Sequence, residues 1–282
     1  MAISRAQLLK ELLPGLNALF GMEYARYDDE HGEIYETESS DRSFEEEVKL
    51  SGFDAAPVKD EGSAISYDAG QESFTARYNH ETIAMGFAIT EEAMEDNLYD
   101  SLSARYTKAL ARAMAHTKQV KAVVPLNNGF TAAYQGGDGV NLFTADGDGV
   151  TGGDGHPLVS GGKNSNRPAT AVDLNETSLE AAVIQIGKWT DERGLMIAAR
   201  PQTLVIPPDL QFVAQRVMKS ELRPGTADND VNAVRSMGVV PGGTVVNHYL
   251  TDTDAWFLMT DVPNGMKHFN RVALETSMDG DF

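Results

Sequence analysis

Four aspartates in a glycine-rich stretch, Asp138, Asp146, Asp148 and Asp154, carry the side chains of this sequence best suited to bind a metal. Residues 136–155 read GGDGVNLFTADGDGVTGGDG, and carboxylates on a pliable backbone are the hard oxygen donors that Ca²⁺ prefers. The weak candidates are Asp146, Asp148 and Asp154. An EF-hand would need Asp or Asn at the fifth position and a later Glu, but the fifth position is Val150 and no Glu follows within reach. A surface loop without metal is the favoured interpretation, and a calcium-dependent binding module or hydrolase is kept as an alternative.

Other residues capable of chemistry are scattered along the chain. It contains no GxxxxGK[ST], GxSxG or HExxH motif, and its six histidines lack the i, i+4 spacing of zinc hydrolases. The absence of cysteine excludes disulfides, thiolate nucleophiles and Cys-based zinc sites. No Lys or Arg lies between Lys121 and Lys163, which argues against a phosphate-binding loop. We therefore predict no catalytic residue, no enzymatic activity and no cofactor.

Charge and hydropathy restrict the class of partner. The 282 residues are 41% hydrophobic and 23% charged, as is ordinary for a globular chain. A formal charge of −19 disfavours nucleic-acid recognition, which depends on Lys and Arg displacing counterions from phosphates. No apolar run reaches the roughly 18 residues that a membrane span requires, so no membrane contact is predicted.

The first 90 residues are predicted to be an amphipathic arm followed by extended elements. Period-two alternation predicts strands at 44–50 and at ETIAMGFAIT, residues 81–90. Between them, residues 54–73 are polar and lack a helical period, and we interpret them as a long two-stranded extension. Apolar residues recur at helical spacing near the N-terminus: Leu8, Leu9, Leu12, Leu13, Leu16, Leu19 and Phe20.

The remainder is predicted to contain one very long helix and a mixed α and β region. Apolar residues spaced by threes and fours predict a helix over 91–124, a rod of about 45 Å that ends at Pro125. A capping box of Thr177 and Glu180 predicts a second helix closing at Gly194, and Pro208 suits the first turn of a third. Strands are predicted at TLVIPP, GTVVNHY, AWFLMT and KHFNRVALET.

This order of elements resembles the major capsid proteins of tailed bacteriophages, which have the Hong Kong 97 fold. Several short stretches are similar to the Mu-like head subunit group: NNGFTAAY, LFTA, HPLVSGG, RPQTLVIPPDL, AVRSMGVV and YLTDTDAWFL. In those relatives LFTA and HPL lie closer together, so DGDGVTGGDG is interpreted as a lengthened surface loop that holds nothing. They also continue beyond the segment matching MDGDF, so their strand-rich tail is expected to be absent or truncated here.

The resemblance implies an α+β capsid fold of four regions. These are an N-terminal arm, 1–43; a peripheral domain, 44–126, with an extended E-loop at 54–73 and a spine helix at 91–124; an axial domain, 127–262, with a Gly/Asp-rich loop at 136–165; and a C-terminal strand, 263–282, returning to the peripheral domain.

The resemblance also implies a mechanical function. Identical subunits would form the hexamers and pentamers of an icosahedral shell around phage DNA, assembled in the host cytoplasm with a portal and with scaffolding or decoration proteins. An encapsulin-type nanocompartment shell is the alternative within the same fold. One family member links Lys and Asn side chains covalently, but no Asn or Glu here identifies that chemistry, so Lys59 is interpreted as a surface lysine. The expected subunit contacts are Leu8, Leu12, Leu16, Phe20, Val58, Lys59, Ile65 and Tyr67.

Overall fold

A computed structural model describes residues 5–90, 99–147, 154–223 and 230–277, with side chains except at 5–13 and 99–101. Within the described residues there are five α-helices and nine short strands. The helices are α1 (Arg5–Tyr24), α2 (Tyr99–Asn128), α3 (Glu176–Ile186), α4 (Gln211–Lys219) and α5 (Ala233–Met237). The strands are β1 (Glu36–Ser39), β2 (Phe44–Leu50), β3 (Glu72–Asn79), β4 (His156–Pro157), β5 (Lys163–Asn164), β6 (Pro201–Ile206), β7 (Thr244–Val246), β8 (Phe257–Thr260) and β9 (Lys267–Asn270).

The chain divides into two compact units. The first comprises Met1–Asp41, His80–Ala122 and His268–Phe282, and the second comprises Arg42–Asn79 and Val123–Lys267. The four regions expected from the sequence, with residues 44–126 as the peripheral domain, stay a prediction. Strands β2 and β3 pair with each other, and both lie in the second unit.

The long helix is present, and its C-terminal end differs from the prediction. α2 has 30 residues and continues through Pro125 to Asn128; its predicted start at 91 lies outside the described residues. Proline interrupts helical hydrogen bonding and crowds the carbonyl four residues earlier. Here the flanking Val123 and Leu126 are buried, and the Asn128 side chain donates to the Val124 carbonyl at 3.1 Å. Packing of the last turn therefore outweighs the cost of the proline.

Two predicted strands are wrong in place or length. The second strand of the hairpin is β3, before the predicted run at 81–90, and no strand is assigned to 81–90 among the described residues. The large side chains of that run, Ile83, Met85 and Phe87, are exposed. Only the first four residues of KHFNRVALET form β9, which pairs with β1. Alternation shows which side chains share a face, but a strand also requires a paired backbone.

The core of the second unit is a three-stranded sheet. β6 is central, parallel to β7 and antiparallel to β8. The predicted strand TLVIPP is confirmed as β6, and Leu204 in it is 0% exposed. Val217 of α4 and Val234 of α5 pack with Leu179 of α3 in an adjoining buried cluster. Burial on both faces explains the continuous apolar run of β6.

Helix α3 differs from its predicted bounds. The N-cap is Asn175, whose Oδ1 accepts from the Ser178 backbone N–H at 2.9 Å while the Ser178 hydroxyl accepts from the Asn175 N–H at 3.0 Å. The cap is therefore two residues earlier than the predicted Thr177. The helix ends at Ile186 with Gly187 as C-cap, well before Gly194. Asn ranks above Thr as an N-cap residue, and the predicted capping box at Thr177 did not take this preference into account.

Candidate assembly interface

The antiparallel hairpin of β2 and β3 presents an apolar face to solvent. Phe44, Val48 and Leu50 lie on one face of β2 and are exposed, whereas Glu45 on the opposite face is half-buried. The Arg77 guanidinium of β3 lies over the Phe44 ring, 4.3 Å from its centroid. The alternation correctly predicted which residues share a face. In the subunit alone, however, the apolar face is the exposed one.

A long loop follows the hairpin pairing. Its base is closed by Ser51 and Gln71: the Ser51 N–H donates to the Gln71 carbonyl at 2.8 Å, and the Gln71 N–H donates to the Ser51 hydroxyl at 2.9 Å. Every residue from 52 to 70 is exposed, and none lies in a strand. The predicted two-stranded extension at 54–73 is thus corrected to two strands that stop at Leu50 and Glu72 and a loop between them. We call residues 51–71 the hairpin loop.

The predicted contact residues of the hairpin loop carry large exposed surfaces. Val58 and Tyr67 are each 95% exposed, Ile65 is exposed, and Lys59 is exposed beside Val58. Phe53 is also exposed and was missed by the sequence analysis, although an aromatic residue in a polar loop is a readable signal. Apolar side chains concentrated on one projecting segment are typical of a protein–protein contact surface.

The arm behaves differently from the hairpin loop. α1 is a helix as predicted, but the side chains of Leu8 and Leu12 lie outside the described ones. Leu16 is half-buried. Phe20 is only 5% exposed and stacks on Tyr24, with ring centroids 6.0 Å apart. Phe20 is therefore buried within the subunit, and its contact role, like that of Leu8, Leu12 and Leu16, stays a prediction.

Two carboxylates of the Gly/Asp-rich stretch form ion pairs with a lysine of the same chain. Lys163 Nζ lies 2.7 Å from the Asp154 carboxylate and 3.5 Å from that of Asp146. The hydrogen bond to Asp154 raises the pKa of the Lys163 ammonium above its ordinary value. Asp148 lies outside the described residues, and among those described no group of three His, Asp or Glu side chains could hold a metal. Two of the three candidate ligands, Asp146 and Asp154, therefore lie in an ion pair with Lys163, and the absence of a metal site stays a prediction.

The DGDGVTGGDG segment, interpreted as a lengthened loop, lies mostly outside the described residues, but residues that flank it make specific contacts. His156 Nδ1 lies 2.6 Å from the Asp138 carboxylate. Burial alone would raise the pKa of Asp138, but the hydrogen bond and charge of His156 hold it below its ordinary value. A Cβ on Gly137 would lie 2.8 Å from the Thr75 carbonyl of β3, so only glycine allows this close approach.

No helix in the described ranges has the length and hydropathy of a membrane span. A segment that exposes several large apolar side chains is typical of a protein that binds other chains.

The sequence model of the phage capsid protein family matches residues 73–282. The chain belongs to this family. It is a phage capsid protein, a structural component of the virion head shell and not an enzyme.

Solved structures agree on the fold. A chain of the bacteriophage JBD30 capsid decorated with minor capsid protein trimers matches with a TM-score of 0.53 and 16% identity, covering 77% of this chain and 89% of that one. A second structure of the JBD30 capsid matches with a TM-score of 0.53, 14% identity and the same coverage. At this identity the likeness establishes the capsid fold alone. No curated protein sequence shows a significant match.

Proposed function

We propose that this chain is the repeating subunit of an icosahedral head, closing as hexamers and pentamers, and that the hairpin loop lies across a neighbouring subunit. The observation that carries the proposal is the exposure of Val58 and Tyr67, each 95%. In the terms of the Hong Kong 97 fold the hairpin loop is the E-loop, α2 the spine helix and α1 the N-terminal arm. The Mu-like head subunits are the proposed subgroup.

Burial of these side chains supplies a favourable free energy for the contact. Covering a fully exposed Val or Tyr is worth about 1.5–3 kcal/mol each. Each subunit donates one hairpin loop and receives another, so this contribution recurs throughout the shell. Ile65 and Phe53 add to the apolar surface.

The net charge of the subunit supports a shell that encloses DNA without binding it specifically. A charge of −19 per subunit repels the phosphate backbone, so packaged DNA is not held by the shell when it must leave. A portal and scaffolding or decoration proteins complete the proposed assembly. The JBD30 capsid carries minor capsid protein trimers, and we propose an equivalent decoration protein here.

Deleting residues 56–71 tests the proposal. We expect subunits that fold normally by circular dichroism and thermal unfolding but remain small in gel filtration and form no closed particles in electron micrographs. A matched control is Ile184→Ser on α3, which removes an exposed apolar side chain away from the hairpin loop and should leave shells intact. Normal closed particles from the deletion variant would show that the proposal is wrong.

A further inference from the structure

We propose that Arg193 is a positioning residue that sets the direction in which the hairpin loop projects, an inference that rests on the proposed function of that loop. The hairpin loop has an outgoing limb, which begins at Gly52, and a returning limb, which ends at Gly70. The Arg193 guanidinium contacts both limbs next to the Ser51–Gln71 pairing. Nε donates to the Gly52 carbonyl at 3.1 Å, and Nη2 donates to the Ala69 carbonyl at 2.8 Å. Nη1 lies 3.6 Å from the Asp54 carboxylate. One rigid, planar fork therefore ties the outgoing limb to the returning limb.

The turn that carries Arg193 is itself fixed. The Asp191 carboxylate accepts from the backbone N–H groups of Arg193 at 2.9 Å and of Leu195 at 2.8 Å. Gly194 has φ +85°, a left-handed conformation that glycine adopts without strain. The Arg193 side chain is 12% exposed, so its stem is packed and its donors are directed at the loop.

The preceding residue fastens the same hairpin at a second point. Glu192 is buried and forms an ion pair with Lys49 of β2. Its other oxygen accepts from the Val159 N–H at 3.2 Å. Two consecutive residues of one turn therefore bind the strand and the loop base, and they fix the angle between the hairpin and the rest of the second unit.

A second set of hydrogen bonds joins the two limbs of the hairpin loop to each other at Asp54 and Asp68. The Asp68 carboxylate accepts from the Asp54 N–H at 2.7 Å and from the Ala69 N–H at 2.8 Å. This bridge joins the limbs to each other but does not anchor them to the body. Loss of Arg193 would leave the limbs paired and free to turn together, so fewer subunits would present Val58 and Tyr67 in the direction that a neighbour requires.

Limited proteolysis of the full chain measures this freedom. Lys59 is the only Lys or Arg in the hairpin loop, so trypsin cleavage after it reports on the loop alone. We expect Arg193→Ala to be cleaved there roughly tenfold faster, the loss expected for about one or two charge-assisted hydrogen bonds, at an unchanged thermal midpoint. Shell yield should fall, Arg193→Lys should be intermediate, and the matched control Arg200→Ala should behave as wild type.

The outcomes separate this inference from the function on which it rests. If Arg193→Ala is cleaved at the wild-type rate and assembles normally while deletion of 56–71 abolishes shells, Arg193 has no positioning role and the proposed function stands. If the deletion variant assembles normally, the proposed function fails whatever the cleavage rate. If Arg193→Ala does not fold, the same comparison is made with Arg193→Gln. The Gln amide keeps a hydrogen-bond donor but can reach only one limb of the hairpin loop.

Discussion

The central sheet and the hairpin loop contain the same kinds of residue in opposite environments. Leu204 on β6 is 0% exposed, while Val58 on the hairpin loop is 95% exposed. Helices α3, α4 and α5 cover the sheet, and the described part of the chain leaves the loop uncovered. The difference shows that this subunit buries the apolar side chains of its sheet and leaves those of the hairpin loop in water. The sheet stabilises folding, and the loop remains available to stabilise assembly.

The largest expected effect is on folding and comes from the sheet. Leu204→Ala should lower the free energy of unfolding by about 2–5 kcal/mol, because it leaves a cavity in a fully packed site. Leu50→Ala on the exposed face of β2 is the matched control and should stay within about 0.5 kcal/mol. Denaturant unfolding of both variants measures the difference. Equal losses of unfolding free energy would contradict the separate roles of the buried sheet and the exposed hairpin.

The next effect is on assembly and comes from the hairpin loop. Replacing Val58 and Tyr67 together by Ser should leave the free energy of unfolding within about 0.5 kcal/mol of wild type, because both side chains are already in water. The subunit concentration needed for shell formation, followed by light scattering, should rise about tenfold or more. A lower thermal midpoint with unchanged assembly would mean that the loop packs on its own subunit.

A smaller effect should follow acidification of the first unit. His31 is buried, and its ring centroid lies 4.8 Å from that of His268. Burial, and next the Lys118 charge, lower the pKa of His31; burial, His31 and Lys118 lower that of His268. Asp29 opposes both shifts, and the Gln119 amide lies 3.2 Å from His31 Nδ1.

The sign of the pH effect follows from these directions. Both folded-state pKa values lie below the ordinary 6.5, so the unfolded chain binds more protons. The neutral His31 and His268 side chains make their full contribution to the free energy of unfolding above about pH 6.5. This contribution is lost as the pH falls through the folded-state pKa values. Calorimetric midpoints should be flat from pH 8 to 6.5 and fall towards pH 5. A His268→Phe variant should show a shallower fall, and an unchanged slope would exclude the pair as its source.

The smallest expected effect is that of calcium. Millimolar Ca²⁺ should shift the thermal midpoint by less than about 1 °C and release no binding heat, because the Lys163 ammonium already pairs with the Asp154 and Asp146 carboxylates and offsets part of their charge. The Lys163→Gln variant sharpens the test by removing the internal cation. Saturable heat with the wild-type protein would restore the metal-site hypothesis.

Local pattern predicted the elements that local interactions decide. The alternation of Phe44 to Leu50 predicted β2, and helical spacing predicted the long rod of α2. It failed where partners distant in sequence matter. Strand β3 replaced the predicted run at 81–90 because β2 supplies its hydrogen bonds, and Pro125 stayed helical because Leu126 is buried.

The sequence by itself determined the class of the protein: an acidic chain without cysteine or a reactive motif, whose order of elements resembles capsid subunits. It also identified Val58, Ile65 and Tyr67 as apolar residues in a polar segment. Only the tertiary structure decided that Phe20 is covered, that Lys163 occupies the aspartate cluster and that Arg193 holds the hairpin loop. Each of these depends on which distant residues come within a few ångströms, and residue type and spacing do not specify that.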